Sequence, residues 1–240
     1  MSGACREAFT STLLRLARAN REIVALTSDA RGSVLLSEFA TELPDQFVEV
    51  GIAEQNAVGI AAGLATCGKN VFVCGPASFY CARSLEQVKN DVAYSRTNVK
   101  IAAVSGGVAY GALGSTHHSL HDIAVFRAIP DIGIIIPSDA RQTALATEYL
   151  AGVPGAAYMR MGRGPVPDVY ASDAVAKDIF NYGKGNVLQP GTDVTVIACG
   201  QMAHAALEAG RALAAQGIST RVIDMPTLKP LDTELISLAA

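Results

Sequence analysis

The chain has 240 residues, half of them hydrophobic, with no Trp and a formal net charge of −3. That is apolar material for one large or two modest domains, and without a basic tract it recommends neither nucleic acid nor an anionic membrane as partner. No apolar run approaches the roughly 20 residues of a membrane helix, the N-terminus lacks the apolar core of a signal peptide, and five cysteines without a C-x-x-C pair point to reduced thiols in a cytoplasm.

Helical spacing marks residues 4–19, where Leu13, Leu16 and Ala17 recur between Arg15 and Arg18. A short buried strand over 22–27 follows, then a helix reaching about Thr41 and stopping before Pro44. Residues 47–50 read as a second strand and 53–67 as a helix. A third strand is expected over 70–74, a helix over 84–94, and a fourth strand over 99–104 that ends at Gly106 and Gly107. Residues 132–136 make a fifth strand, 139–150 its helix and 156–159 a sixth strand. Continuous apolar strands alternating with helices imply a six-stranded, doubly wound parallel α/β sheet covered on both faces.

Glycines and prolines interrupt all periodicity over 164–192. A new β-α-β unit then begins at Asp193, with a helix over 202–216, a strand over 218–223 and a further helix starting at Asp232. The expected organisation is a first domain over 1–170, a linker over 171–191, and over 192–240 the start of a second, smaller α/β domain. One β-α-β unit leaves its sheet edge open. It therefore either packs onto the first domain or belongs to a chain that continues, and continuation is the expectation.

Open parallel sheets bind ligands beyond the carboxyl ends of their strands. Asp29 and Ser33 follow the first strand, Glu54 the second, Ser78, Phe79 and Tyr80 the third, and the long loop holding His117, His118, His121 and Asp122 the fourth; Arg160 and Arg163 follow the sixth. Glu54 stands where a hydrophobic strand runs into a helix of almost only small and apolar residues. An ionised carboxylate there carries a heavy desolvation cost, so it should be neutral, proton-sharing or hydrogen-bonded. The plainer reading is a first-turn glutamate favoured by the helix dipole and open to water. The three histidines admit a metal, but no distant Cys or His completes a zinc set, so helix-capping or substrate-contacting roles come first. Phe79 and Tyr80 also read as ordinary core aromatics, and no dinucleotide or P-loop phosphate fingerprint is present.

Taken together, Val48-Glu-Val-Gly-Ile-Ala-Glu-Gln-Asn56, Pro76-Ala-Ser-Phe79, Gly114-Ser-Thr-His-His118, Arg127-Ala-Ile-Pro-Asp131 and Ile136-Pro-Ser-Asp139 resemble the pyrimidine-binding half of the transketolase family. Val194-Thr-Val-Ile-Ala-Cys-Gly200 and Leu228-Lys-Pro-Leu-Asp232 resemble the start of its C-terminal domain, and the likeness spans essentially the whole chain. It is nearest to C-terminal subunits of split bacterial members acting on branched or modified sugar phosphates such as apulose 4-phosphate.

The resemblance implies transfer of a two-carbon ketol unit from a ketose to an aldehyde with thiamine diphosphate. Glu54 matches the glutamate that hydrogen-bonds N1′ of the aminopyrimidine, and Phe79 the aromatic that stacks on that ring. Tyr80 is a possible second wall, and Asp29 falls beside the cofactor. His117 matches a histidine that reaches the substrate near its C1 hydroxyl, and Arg163, Ser33 and Arg6 fall where the family holds the substrate phosphate, a task suited to bidentate arginine. In two places the chain departs: Leu113 stands where an acidic residue commonly reads sugar stereochemistry, and Ser105 where a second histidine is often found. The Gly-Asp-Gly of the family's diphosphate and magnesium site does not occur in this sequence. An N-terminal partner subunit is therefore expected to supply that half, most simply in an A2B2 assembly, with no metal held by this chain. The small-residue helix carrying Gly59 and Gly63 is one candidate interface; packing of that face onto its own sheet is the alternative. A β-subunit of a 2-oxo acid dehydrogenase and a non-catalytic α/β binding module remain as other readings.

Overall fold

Apolar runs that cannot leave either face in water stack as a parallel sheet between two layers of helix. The computed structural model describes residues 2–239. From the N-terminus come β1 (Ser2–Ala4), α1 (Cys5–Ala19), β2 (Ile23–Thr27), α2 (Ser37–Glu42), β3 (Phe47–Glu49), α3 (Glu54–Thr66) and β4 (Asn70–Pro76). Then follow α4 (Ala77–Ala82), α5 (Leu85–Gln87) running into a π-helix over Val88–Tyr94, β5 (Val99–Val104), α6 (Asp122–Ala128), β6 (Ile132–Ile135), α7 (Ala140–Gly152) and β7 (Ala156–Met161). Beyond these lie β8 (Pro165–Pro167), α8 (Ala176–Ile179), β9 (Asn186–Gln189), β10 (Val194–Ala198), α9 (Met202–Ala214), β11 (Thr220–Asp224), β12 (Thr227–Lys229) and α10 (Thr233–Ala239).

The main sheet has the order β12-β6-β7-β5-β4-β2-β3. The six strands expected from sequence are its parallel members. The seventh, β12, joins antiparallel to β6 from the C-terminal part of the chain. One face is covered by α1 and α7, with Phe9, Leu13, Phe72 and Leu150 in its core. The other is covered by α3, α4 and α6, with Val58, Val73, Tyr80, Phe126 and Tyr158 buried. No helix of the described residues is long and apolar enough to cross a membrane.

Several boundaries differ from the sequence reading for local reasons. The helix expected over 84–94 starts earlier, at Ala77 directly after Pro76, and is broken at Ser84. A proline placed before the first turn suits that early start. The helix expected up to Thr41 shrinks to α2, because Leu35 adopts a left-handed φ of 60° just before it. The expected linker over 171–191 carries α8 and β9, and β9 pairs antiparallel with β11 to complete a three-stranded sheet with β10. Strands β1 and β8 form a two-stranded ribbon that sequence periodicity did not reveal.

On α3 the buried side is Ala57, Val58, Ala61 and Ala62. A Cβ placed on Gly59 or Gly63 would meet nothing within 4 Å, so in this chain their face does not pack onto the sheet.

The second unit is tied to the first by polar groups as well as by β12. Asp224, fully buried at the end of β11, accepts hydrogen bonds through Oδ2 from Tyr170 (2.5 Å), Gln142 Nε2 (2.8 Å) and Ser138 Oγ (3.2 Å). Asp139 caps α7, accepting from the Gln142 and Val169 amides at 2.8 and 2.9 Å. Burial pushes the Asp224 carboxyl up from 3.8 to about 6, against the opposing pull of its three donors. A raised carboxyl holds its proton more tightly in the folded chain, so this stabilisation is complete below pH 3.8 and lost as pH rises through about 6. The stability of wild type relative to Asp224→Asn should therefore fall by about 1 kcal/mol between pH 5 and 7 in paired urea titrations. A difference independent of pH would show that the carboxyl titrates normally.

The loop after β5 is anchored by Asp122, which accepts from Tyr158 at 2.5 Å and from Arg160 at 3.2 Å. A Cβ on Gly106 would collide with the Arg160 side chain, which that ion pair holds in place. Gly106→Ala should cost roughly 1–3 kcal/mol, the usual range for overpacking, read as a lower melting temperature. An unchanged melting temperature would mean that Arg160 moves aside freely.

Candidate active site

Loops at the carboxyl ends of β2, β3, β4, β5 and β7 surround a cavity of about 400 Å³. Its walls include Ser28, Asp29, Ser33, Glu54, Phe79, Tyr110, Leu113, His117 and Arg163. Residues far apart in sequence are thus gathered by the parallel topology, the arrangement open α/β sheets use for ligands.

Glu54 is the first residue of α3 and only 5% exposed. Both sequence readings of it are partly met: it sits in the first turn, yet it is shut away from water. Its Oε1 accepts a hydrogen bond from Arg83 Nη1 at 2.8 Å. Arg83 escaped the sequence reading. The available signal was its spacing four residues from Phe79 on one helical turn, where side chains meet. Its guanidinium indeed lies 4.0 Å from the centre of the Phe79 ring.

Phe79 faces the cavity from α4, with His117 in edge contact at 5.2 Å between ring centres. Tyr110, also missed from sequence, makes a similar edge contact with His117 at 5.2 Å. His117 Nδ1 is 3.0 Å from Thr116 Oγ1, and among the described residues none bonds the other ring nitrogen. Tyr80 corrects an expectation. It is fully buried, packs in the core and pairs its hydroxyl with Ser28 Oγ at 3.1 Å, so it does not line the cavity. A rotation of about 100° per helical residue sends Tyr80 inward when Phe79 points out, and Gly75 leaves room for its ring.

Asp29 lies on the rim with a left-handed φ of 53°. Its amide donates to Glu49 Oε1 at 2.7 Å, and Gly51 donates to the same oxygen at 3.2 Å, so Glu49 braces the turns after β2 and β3.

A second cavity of about 560 Å³ adjoins through Arg163 and contains Arg6, Glu7 and Gln201, the last from the C-terminal part of the chain. Arg6 Nη1 donates to the Ser33 carbonyl at 3.0 Å. Arg6 Nε and Arg163 Nη1 are buried without a partner, although Arg163 lies over the Tyr110 ring at 4.9 Å. Two guanidiniums with donors to spare beside Ser33 make a site suited to an anion.

The three loop histidines diverge. His118 Nε2 is 3.1 Å from the Gly111 carbonyl and His121 Nε2 3.5 Å from Cys81 Sγ, so neither joins His117. Among the described residues no His, Cys, Asp and Glu side chains group in a metal-holding cluster. Ser105 is buried with φ 62° and an unpartnered hydroxyl and does not line the cavity, whereas Leu113, 56% exposed, does.

Residues 2–167 match the family described as the transketolase pyrimidine binding domain, and residues 183–240 the transketolase C-terminal domain. The chain is 60% identical over 237 residues to one of the subunits of apulose-4-phosphate transketolase from Phocaeicola vulgatus, covering 99% of this chain and 75% of that protein. It is 34% identical over 231 residues to the 6-deoxy-6-sulfo-D-fructose transketolase subunit SqwH of a Clostridium species, covering 96% and 70%. Among solved structures it superposes with a TM-score of 0.89 and 40% identity on a split gene transketolase described as an inactive β4 tetramer, covering 100% of this chain and 77% of that one. The chain belongs to the transketolase family.

Proposed function

We propose that this chain is the pyrimidine-side subunit of a split transketolase that moves a two-carbon ketol unit between a ketose phosphate and an aldehyde. One observation carries the reading: a buried carboxylate, Glu54, and an aromatic wall, Phe79, meet at one cavity beside His117. These residues fit the pyrimidine end of thiamine diphosphate, on which the family depends. A carboxyl shielded from water can share a proton with a ring nitrogen, and a phenyl face can stack on the ring.

When bound, thiamine diphosphate supplies the electron sink for the carbanion left by C–C cleavage. Glu54 holds the proton at N1′ of the pyrimidine, and its low exposure keeps that hydrogen bond from competing with water. Phe79 orients the ring against it. His117, held by Thr116 and flanked by Phe79 and Tyr110, contacts the substrate near its C1 hydroxyl. Arg163, Arg6 and Ser33 hold the substrate phosphate with the donors that the chain itself leaves unused. Asp29 borders the cofactor from the rim. Leu113 presents an apolar surface to the sugar, which favours a modified or branched substrate such as apulose 4-phosphate over the ordinary pentose set.

The names of the relatives as subunits support a second polypeptide. On this reading that polypeptide brings the diphosphate and magnesium ligands, in an A2B2 assembly closed in part by the open face of α3. We read residues 1–170 as the pyrimidine domain and 192–240 as the beginning of the C-terminal domain, although β9 joins the sheet of the latter. The five free thiols fit a reducing, cytoplasmic setting.

Calorimetric titration of the purified chain should show weak or no thiamine diphosphate binding until the partner subunit is added. Tight magnesium-dependent binding by the chain alone would overturn the split reading. In the assembled protein, Glu54→Gln keeps the size of the side chain but cannot share its proton. Hydrogen–deuterium exchange at C2 of the bound cofactor should then slow by about 100-fold, the lower end for a lost general acid–base group. Unchanged exchange removes Glu54 from the chemistry.

A further inference from the structure

Two cavities, of about 530 and 400 Å³, adjoin at the N-terminus of α3 and share Ile52, Glu54 and Arg83 in their walls. Arg83 follows the last residue of α4, and its amide donates to the Phe79 carbonyl at 2.8 Å. That bond places Arg83 one helical turn from Phe79, within reach of its ring. The guanidinium then does two things at once: it lies 4.0 Å from the Phe79 ring centre and donates from Nη1 to Glu54 Oε1 at 2.8 Å. A planar, delocalised cation is suited to both contacts together. The side chain is nevertheless half exposed, 49% against 6% for Glu54, so water competes for it and it is free to leave.

On the proposed function, those two contacts are the ones an aminopyrimidine ring requires: an aromatic face and a proton-sharing carboxyl. A ring stacked on that face of Phe79 and bonded to Glu54 cannot coexist with the guanidinium at these distances. We propose that Arg83 is an internal placeholder, occupying the pyrimidine seat with its own amidine-like plane and swinging out into the adjoining cavity when the cofactor enters. The device has a physical reason. A buried glutamate left without a partner is strongly destabilising, and Arg83 supplies one in the empty chain. It also keeps free chain from trapping pyrimidines before a partner arrives.

This inference rests on the proposed function, and its test separates the two. The probe is 4-amino-5-hydroxymethyl-2-methylpyrimidine, titrated calorimetrically into the full chain. Arg83→Ala and Arg83→Met should each bind it about tenfold or more tightly than wild type, the factor by which the open fraction of wild type falls below one. Circular dichroism confirms that each variant is folded, and Arg83→Met preserves the packing of the stem if Arg83→Ala does not fold. Adding Glu54→Gln to Arg83→Met should cancel the gain, because the fragment inherits the carboxylate that Arg83 releases. Equal, weaker or undetectable binding by the Arg83 variants overturns the placeholder, as does a gain that survives Glu54→Gln. Weaker binding would mean that Arg83 remains and contacts the ring. Thiamine diphosphate binding by wild type together with its partner is measured in parallel. If it is absent, the proposed function itself fails; if present alongside an unchanged fragment affinity, only the placeholder does.

Discussion

A carboxylate taken out of water has to be given something in return, and much of this site is organised around that requirement at Glu54. Ala57, Val58, Ala61 and Ala62 bury the inner side of α3 against the sheet and draw its first turn down with it. The helix N-terminus favours negative charge, but a dipole alone does not replace lost hydration. The remainder comes from a cation that must itself be positioned. Arg83 meets that need because α4 starts at the very end of β4, which places Phe79 and Arg83 one helical turn apart beside Glu54. The ion pair, the stacked ring and the cavity are consequences of one early helix start.

The parallel sheet does the gathering. Chain reversals at its carboxyl ends bring the loops after β2, β3, β4, β5 and β7 together, and polar ties run between them. Glu49 braces the turn at Asp29, Tyr80 reaches Ser28, and Asp122 holds Arg160 beneath the histidine loop. The ties of Tyr80 to Ser28 and of Arg160 to Asp122 use groups that would otherwise be buried and unpaired, so there rigidity of the site and satisfaction of the core are the same interactions. Among the buried donors left without a partner, those on Arg6 and Arg163 lie at one cavity, beside Ser33. Cations left short of partners at a single place are the feature a phosphate would complete.

The C-terminal part contributes more than a second sheet. Strand β12 extends the main sheet, Lys229 donates from Nζ to the Arg127 carbonyl at 3.3 Å, and Asp224 gathers donors from α7 and the connecting segment. Gln201 reaches the cavity of Arg6 and Arg163. The two units are therefore coupled through hydrogen bonds and strand pairing rather than apolar packing alone.

The alternation of apolar strands and helices, the six parallel strands and the residues at their ends could be read from sequence because they depend on local period and chain order. Glu54, Phe79, His117, Asp29, Ser33 and Arg163 were legible in that way, and they share one cavity. Arg6 lies in the adjoining one. The facing of Tyr80 was not legible, since the helical rotation that separates it from Phe79 applies only if both lie in a helix, and the start of that helix was misplaced by seven residues. The ribbon of β1 with β8 and the edge strand β12 were also hidden. Short strands take their partners from distant segments, and no local pattern encodes the pairing. The sequence by itself determined the sheet, its order of elements and the chemistry offered at the strand ends. Only the tertiary structure decided that Arg83 meets Glu54 and that Arg6 joins Arg163 at one cavity, because contacts between different elements depend on distances that a linear pattern does not contain.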